Sequence, residues 1–243
     1  MEKFYGDEKN TFYHNPLDYN MKLILLSGLD GTGKLFAPFI ASLPKTIKTQ
    51  CIVYPTDTIL SYDELIILVI KQLPKEESFT LLAESFSGYI AYQIALQKPK
   101  NLKSLIFVAT FLENPRPFLS KFIPLMPVEF MLSLPLPHFV AKHFLLGDEA
   151  LVEHLQQTLK EVSSEILYAR LLEISKLPKA TQKVETKALY IQATNDLLVP
   201  QKSYKVFKRL FSNIEQVEVK GSHLILQGKP KETARVVEEF ILK

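Results

Sequence analysis

From Lys22 onward, short apolar runs of strand length alternate with stretches whose apolar residues recur at helical spacing. That alternation leaves few folds open. Strands separated by a helix do not close hairpins; they pair in parallel, and the crossover helices cover both faces of the sheet. Strands are suggested at 23–27, 49–54, 79–83, 105–109, 188–193 and 215–219. The patterns between them predict helices over 35–42, 62–73, 86–97, 201–210 and 231–242. The expected class is α/β, with a mostly parallel central sheet and helices on both faces. At 243 residues with 47% hydrophobic content, the chain can bury one substantial core, and it carries no internal repeat or low-complexity tract.

One stretch departs from this rhythm. Between 111 and 180 no strand is expected. The first half is apolar and broken by Pro115, Pro117, Pro124, Pro127, Pro135 and Pro137, while the second sets Leu151, Leu155, Leu159, Val162 and Ile166 among charges at helical spacing. Short helices followed by one or two longer amphipathic ones are expected there. The prolines, with Glu129 and Lys142, interrupt the run before the roughly 20 apolar residues of a membrane span accumulate. Residues 1–20 are polar, mixed in charge and without the apolar core of a secretory signal, so they read as a loose leader on a cytoplasmic protein. Cys51, the only cysteine, lies in an apolar run where packing rather than chemistry is expected. A net charge of +3, with lysines dispersed among glutamates and no basic stripe interleaved with aromatics, argues against a nucleic-acid partner.

The chemistry points to one corner. Leu81-Leu82-Ala83-Glu84-Ser85-Phe86-Ser87-Gly88 runs an apolar strand into an apolar helix, with Ser85 at the junction and the small residues Ala83 and Ser87 two positions either side. A nucleophile held on a strained strand-to-helix turn needs small neighbours at those two positions, where the commoner pattern has glycines. Ser87 is the poorer candidate, because Tyr89 would then fall where the turn is tightest. The plainer alternative is that Ser85 only caps the following helix. A serine nucleophile also needs a base and a group to orient that base, and in hydrolases with this corner they follow in the order Ser, Asp or Glu, His. Asp196 falls just past the strand at 188–193, and His223, after Gly221-Ser222, falls past the strand at 215–219. In an open α/β sheet these carboxyl ends share one edge, so the three residues can meet there. His14, His138, His143 and His154 occupy no such strand-end position in the right order.

Together with Ser27-Gly28-Leu29-Asp30-Gly31-Thr32-Gly33 and Asn195-Asp196-Leu197-Leu198-Val199-Pro200, these motifs make the chain resemble the α/β-hydrolase superfamily from about Met21 to the C-terminus. The resemblance implies an α/β-hydrolase fold, with the core at 21–110 and 181–243 and a helical cap inserted over 111–180. It implies a cofactor-free, metal-free serine hydrolase whose catalytic residues are Ser85, His223 and Asp196. In that family the loop after the first core strand carries His-Gly or a variant, and the next residue donates an N–H to the oxyanion. The equivalent here is Leu29, with Phe86 supplying the second N–H and Ser27 standing where the family has histidine. A cap turns its apolar face to the cleft, so Phe111, Phe118, Phe122, Met126 and Phe139 are the expected substrate contacts, and a small-molecule ester with an apolar acyl group is the expected substrate. The chain is similar to carboxylesterases, including those that demethylate pimeloyl carrier-protein esters. A thioesterase or acyltransferase would use the same triad. Arg116, Lys121 and Lys142 suit an acidic acyl carrier protein as a partner, against the plainer reading of scattered surface cations. A ligand-binding protein without catalysis on the same fold stays open.

A competing motif overlaps the first loop. Gly28 to Lys34 spells G-x-x-x-x-G-K after an apolar strand, most of a phosphate-binding loop, but Leu35 stands where Ser or Thr must ligate Mg²⁺. The glycines are better explained by a tight turn that brings backbone N–H groups toward a developing oxyanion.

Overall fold

The structure, a computed structural model, describes residues 22–120 and 149–243. The expected leader and the middle of the 111–180 segment lie outside the described residues. Among those described, β1 (Lys22–Leu26), β2 (Lys48–Ile52), β3 (Phe79–Glu84), β4 (Leu102–Val108), β5 (Lys187–Ala193) and β6 (Ile214–Val219) form one sheet. Its order is β2-β1-β3-β4-β5-β6, and every neighbouring pair is parallel. The helices are α1 (Ala37–Ser42), α2 (Tyr62–Gln72), α3 (Gly88–Leu96), α4 (Pro117–Ser120), α5 (Glu149–Leu159), α6 (Ser164–Ser175), α7 (Tyr204–Leu210), α8 (Ile225–Gly228) and α9 (Pro230–Leu242).

The central strands β1, β3, β4 and β5 are buried on both faces, whereas the edge strands β2 and β6 are largely half-buried or exposed. Leu23 and Leu25 of β1 share a core with Phe36, Phe39, Val237 and Phe240. Ile24 and Leu26, pointing the other way, share one with Leu65, Val69, Phe86 and Ile90. Each fully buried Leu, Ile or Phe is worth roughly 1.5–3 kcal/mol over leaving it in water, which is what holds the helices on the sheet. Local signals agree: α2 opens with a capping box in which Ser61 Oγ accepts from Glu64 N–H and the Glu64 carboxylate accepts from Ser61 N–H.

The strand order positions the site. β1 passes to β2 on one side, whereas β3 returns to the other side of β1 before the chain continues outward to β6. The carboxyl ends of β1 and β3 are therefore where the loops diverge and open a crevice. Leu26 is in register with Ala83, so the loop 27–33 and the corner Glu84-Ser85-Phe86 leave the sheet side by side.

The structure differs from the sequence expectation at several helix starts. The helices expected over 35–42, 86–97 and 201–210 open with single 3-10 turns, Lys34–Phe36, Ser85–Ser87 and Gln201–Ser203. At Ser85 the cause is a positive φ of 49°, a left-handed conformation that no α-helical first turn accommodates. The short α8 between His223 and α9 was not expected at all. Within 111–180 the described elements are helical, and Leu155 and Leu159 of α5 pack with Leu35 and Leu224 beside the loops at the carboxyl edge of the sheet. Among the described residues no helix is long and apolar enough to cross a membrane.

Candidate active site

Ser85 sits at the end of the buried strand β3, and its strained backbone is held from below. The Thr110 hydroxyl donates to the Ser85 carbonyl, and the Tyr190 phenol donates to the Thr110 carbonyl at 2.9 Å. Gly88 makes room for this arrangement, because a Cβ there would overlap the Thr110 side chain and the Phe111 carbonyl. A residue held in the left-handed region at a sharp turn costs of order 1–3 kcal/mol and persists only where its surroundings over-determine it. Ser87, also buried, donates its hydroxyl to the Ser27 carbonyl and lies 2.5 Å from the Tyr54 phenol oxygen. The serine that replaces a glycine here ties the corner to the loop after β1.

The pairing of β5 and β6 continues past their ends. Ala193 is in register with Val219; Thr194 N–H then donates to the Val219 carbonyl at 3.0 Å and Asn195 N–H to the Gly221 carbonyl at 2.9 Å. The loops that carry Asp196 and His223 are thereby locked together. His223 Nδ1 lies 2.8 Å from Asp196 Oδ2, and His223 Nε2 lies 2.8 Å from Ser85 Oγ. The other Asp196 oxygen accepts the Leu198 and Val199 N–H groups, each at 2.8 Å, so the carboxylate is fixed by main chain as well as by the imidazole. The two side chains are only 6% and 2% exposed. A hydrogen-bonded line thus runs from a buried carboxylate through an imidazole to a hydroxyl, which is the arrangement that lets a base draw the proton from a serine.

Of the two expected oxyanion donors, Leu29 lies in the loop after β1 and Phe86 directly follows Ser85 in its 3-10 turn. A Cβ on Gly28 would lie 4.0 Å from Ser85 Cβ, which places the Leu29 peptide against the corner. Phe86 is fully buried, its ring stacked on Tyr62 at 4.6 Å and its carbonyl accepting from the Tyr62 hydroxyl at 3.0 Å. The expected acyl contacts fare differently. Phe118 is 72% exposed. Phe111 is buried and, with Leu112, Pro115, Pro117, Lys202 and Val206, lines a cavity of about 310 Å³ that none of Ser85, Asp196 and His223 borders. Phe122, Met126 and Phe139 lie outside the described residues. In the phosphate-loop motif, the Lys34 amine is paired with the exposed Glu161 carboxylate at 2.5 Å, Leu35 is buried, and Arg170 fills the space beside Gly31.

Three buried polar groups escaped the sequence reading. Glu84 is 2% exposed and takes hydrogen bonds from Gln227 Nε2 at 3.0 and 3.2 Å; burial pushes its pKa up to about 7, against the lowering pull of Gln227 and of His223. Gln227 is itself buried. Arg170 is 3% exposed and, among the described residues, donates only to main-chain carbonyls. A carboxylate inside the apolar run of β3, and a glutamine closing Leu224-Ile225-Leu226, are the signals that mark the first two. Arg170 resembles any solvated helix cation and offers no such signal.

The family model for serine aminopeptidase, S33, matches residues 56–227, more than half of the chain and the part that contains Ser85, Asp196 and His223. The chain belongs to this family of α/β-hydrolases. Solved structures agree on the fold of the hydrolase. It superposes on the enol-lactonase from Burkholderia xenovorans with a TM-score of 0.76, at 14% identity and 92% coverage of both chains. For the lipase-esterase related protein from Clostridium acetobutylicum the values are 0.74 and 17%, covering 92% of this chain and 96% of the other. For ClbQ, from the colibactin NRPS/PKS pathway, they are 0.67 and 11%, covering 91% and 97%. No curated protein sequence matches the hydrolase.

Proposed function

We propose that this α/β-hydrolase is a serine esterase that cleaves carboxylic esters with an apolar acyl group through an acyl-enzyme. The observation that carries the reading is the unbroken hydrogen-bonded line from Asp196 through His223 to Ser85. His223 Nε2 takes the proton as Ser85 Oγ attacks the ester carbonyl, and Asp196 keeps Nδ1 protonated and stabilises the imidazolium. The N–H groups of Leu29 and Phe86 receive the oxyanion of the tetrahedral intermediate. Collapse expels the alcohol, protonated by His223. Water, deprotonated by the same nitrogen, then attacks the acyl-enzyme, and the acid leaves with Ser85 restored.

A second reading comes from the family itself, whose description is that of an aminopeptidase. An amide differs from an ester in the poorer leaving group, so the same residues must protonate the departing amine earlier. Intact-mass labelling with a fluorophosphonate, beside p-nitrophenyl esters of rising acyl length and aminoacyl p-nitroanilides, separates these readings. One adduct on wild type, none on Ser85→Ala, and a loss of about 10³-fold or more in ester turnover are expected. Turnover of anilides in preference to esters would favour the peptidase. Normal ester turnover by Ser85→Ala would remove the whole scheme.

A further inference from the structure

We propose that Arg170 is a positioning residue through which α6, a helix of the segment between β4 and β5, holds the oxyanion loop in its working shape. The inference rests on the esterase reading above, since it concerns the proposed donor at Leu29.

Arg170 Nη1 donates to the Leu29 carbonyl at 2.6 Å and to the Asp30 carbonyl at 2.9 Å, and Nη2 donates to the Pro55 carbonyl at 2.8 Å. The guanidinium is 3% exposed and makes no ion pair among the described residues. Burying that charge is unfavourable and lowers its pKa; in return its rigid fork reaches carbonyls in two separate loops at once. The approach depends on Gly31, whose φ is +73° and where a Cβ would come within 2.7 Å of Nη1. Tyr54 closes the other side: its N–H donates to the Gly31 carbonyl at 2.8 Å, and its ring centroid lies 5.7 Å from the guanidinium carbon.

Fixing these carbonyls matters because each peptide is a rigid plane. With the two planes after Leu29 pinned, the Leu29 N–H can reorient only through the φ and ψ of one residue. Without Arg170 the Leu29 and Asp30 carbonyls would lose these bonds, leaving the loop the Gly31 N–H to Gly28 carbonyl turn at 3.2 Å, the Asp30 carboxylate bonds to Thr32 and the Tyr54 bond. The same helix face reaches the second donor as well. Glu173, three residues on, accepts the Tyr62 N–H at 3.0 Å, and Tyr62 in turn donates its hydroxyl to the Phe86 carbonyl. Residues 170 and 173 therefore touch, with at most one intermediary, both halves of the proposed oxyanion hole.

The test compares wild type with Arg170→Met, which keeps the stem and removes the donors, and Arg170→Lys, which keeps the charge but not the fork. Two quantities are read: amide hydrogen exchange of residues 27–33 by mass spectrometry, and kcat and KM for p-nitrophenyl butyrate. In Arg170→Met, exchange in 27–33 should rise about tenfold while β3 stays protected. Its kcat should fall about 100-fold, as for a displaced catalytic donor, with KM held within about twofold. Arg170→Lys should recover part of both. If Arg170→Met does not melt cooperatively, Arg170→Lys is read in its place, with smaller changes in the same directions expected. Unchanged loop exchange and unchanged kcat in a folded variant overturn the proposal. Faster loop exchange in the variant of an enzyme that hydrolyses no ester upholds the clamp and sinks the esterase reading alone.

Discussion

Ser85 and Glu84 are neighbours in the chain yet meet opposite surroundings. Ser85 reaches the imidazole, whereas Glu84 turns into the core toward Gln227. The ordinary carboxyl pKa of 4.5 is raised to about 7 by that burial. The folded state therefore holds the Glu84 proton more tightly than the unfolded chain does. Its neutral form supports the fold fully below pH 4.5, and that support is lost as pH rises through 7, by about 3 kcal/mol in all. Glu84→Gln, neutral at every pH, should flatten this slope, so that its urea midpoint gains on wild type between pH 5 and pH 8; parallel curves would show that Glu84 does not carry the proton. In the candidate site, the strand-end positions of Asp196 and His223 were legible because a parallel sheet gathers its strand ends on one edge. The partners of Glu84 and Arg170 were not, because Gln227 and the loop 29–30 lie more than a hundred positions from them and no local pattern links them.

At the scale of elements, apolar runs located the central strands to within a few residues, since strands buried on both faces leave little room for polar side chains, while the more polar edge strands β2 and β6 carried a weaker signal. Helix starts were less legible. Their 3-10 turns, and the extra helix α8, follow from tertiary constraints such as the positive φ of Ser85. The close packing of α3 against β4 has the same origin and is open to test. Gly88→Ala would drive a methyl group into the Thr110 side chain and the Phe111 carbonyl, and the carbonyl cannot swing away. A loss of about 1–3 kcal/mol is expected from urea unfolding, together with slower phosphonate labelling. Gly228→Ala is the control, because its Cβ would meet Leu151 at an ordinary 3.7 Å; it should be neutral or stabilising by up to ~1 kcal/mol.

Across the whole molecule, aromatic rings connect the site to the far edge of one core. The chain of contacts runs from Tyr54 and Phe86 through Tyr62, Tyr89 and Tyr92 to Phe211, Phe107, Phe207 and Tyr190. None of this could be read from the sequence, which indicated a parallel sheet but not the strand order that brings β4 and β5 together. Phe207 is fully buried, with rings 4.8 and 4.7 Å away on Phe107 and Tyr190. Phe207→Ala should cost about 3–5 kcal/mol, and tyrosine emission will report it without competition because the chain has no tryptophan. Midpoints that coincide with wild type would mean the cluster collapses around the gap. Cys51 lies on β2 just behind the loop after β1, 3.2 Å from where a Gly33 side chain would begin, and half-burial pushes its thiol pKa up. As the only thiol in the chain, and a half-buried one, it reacts slowly with an alkylating dye in the folded state and faster as that edge loosens. The enzyme thus carries a built-in clock for excursions of the loop beside Ser85, one that can be read with no substrate present.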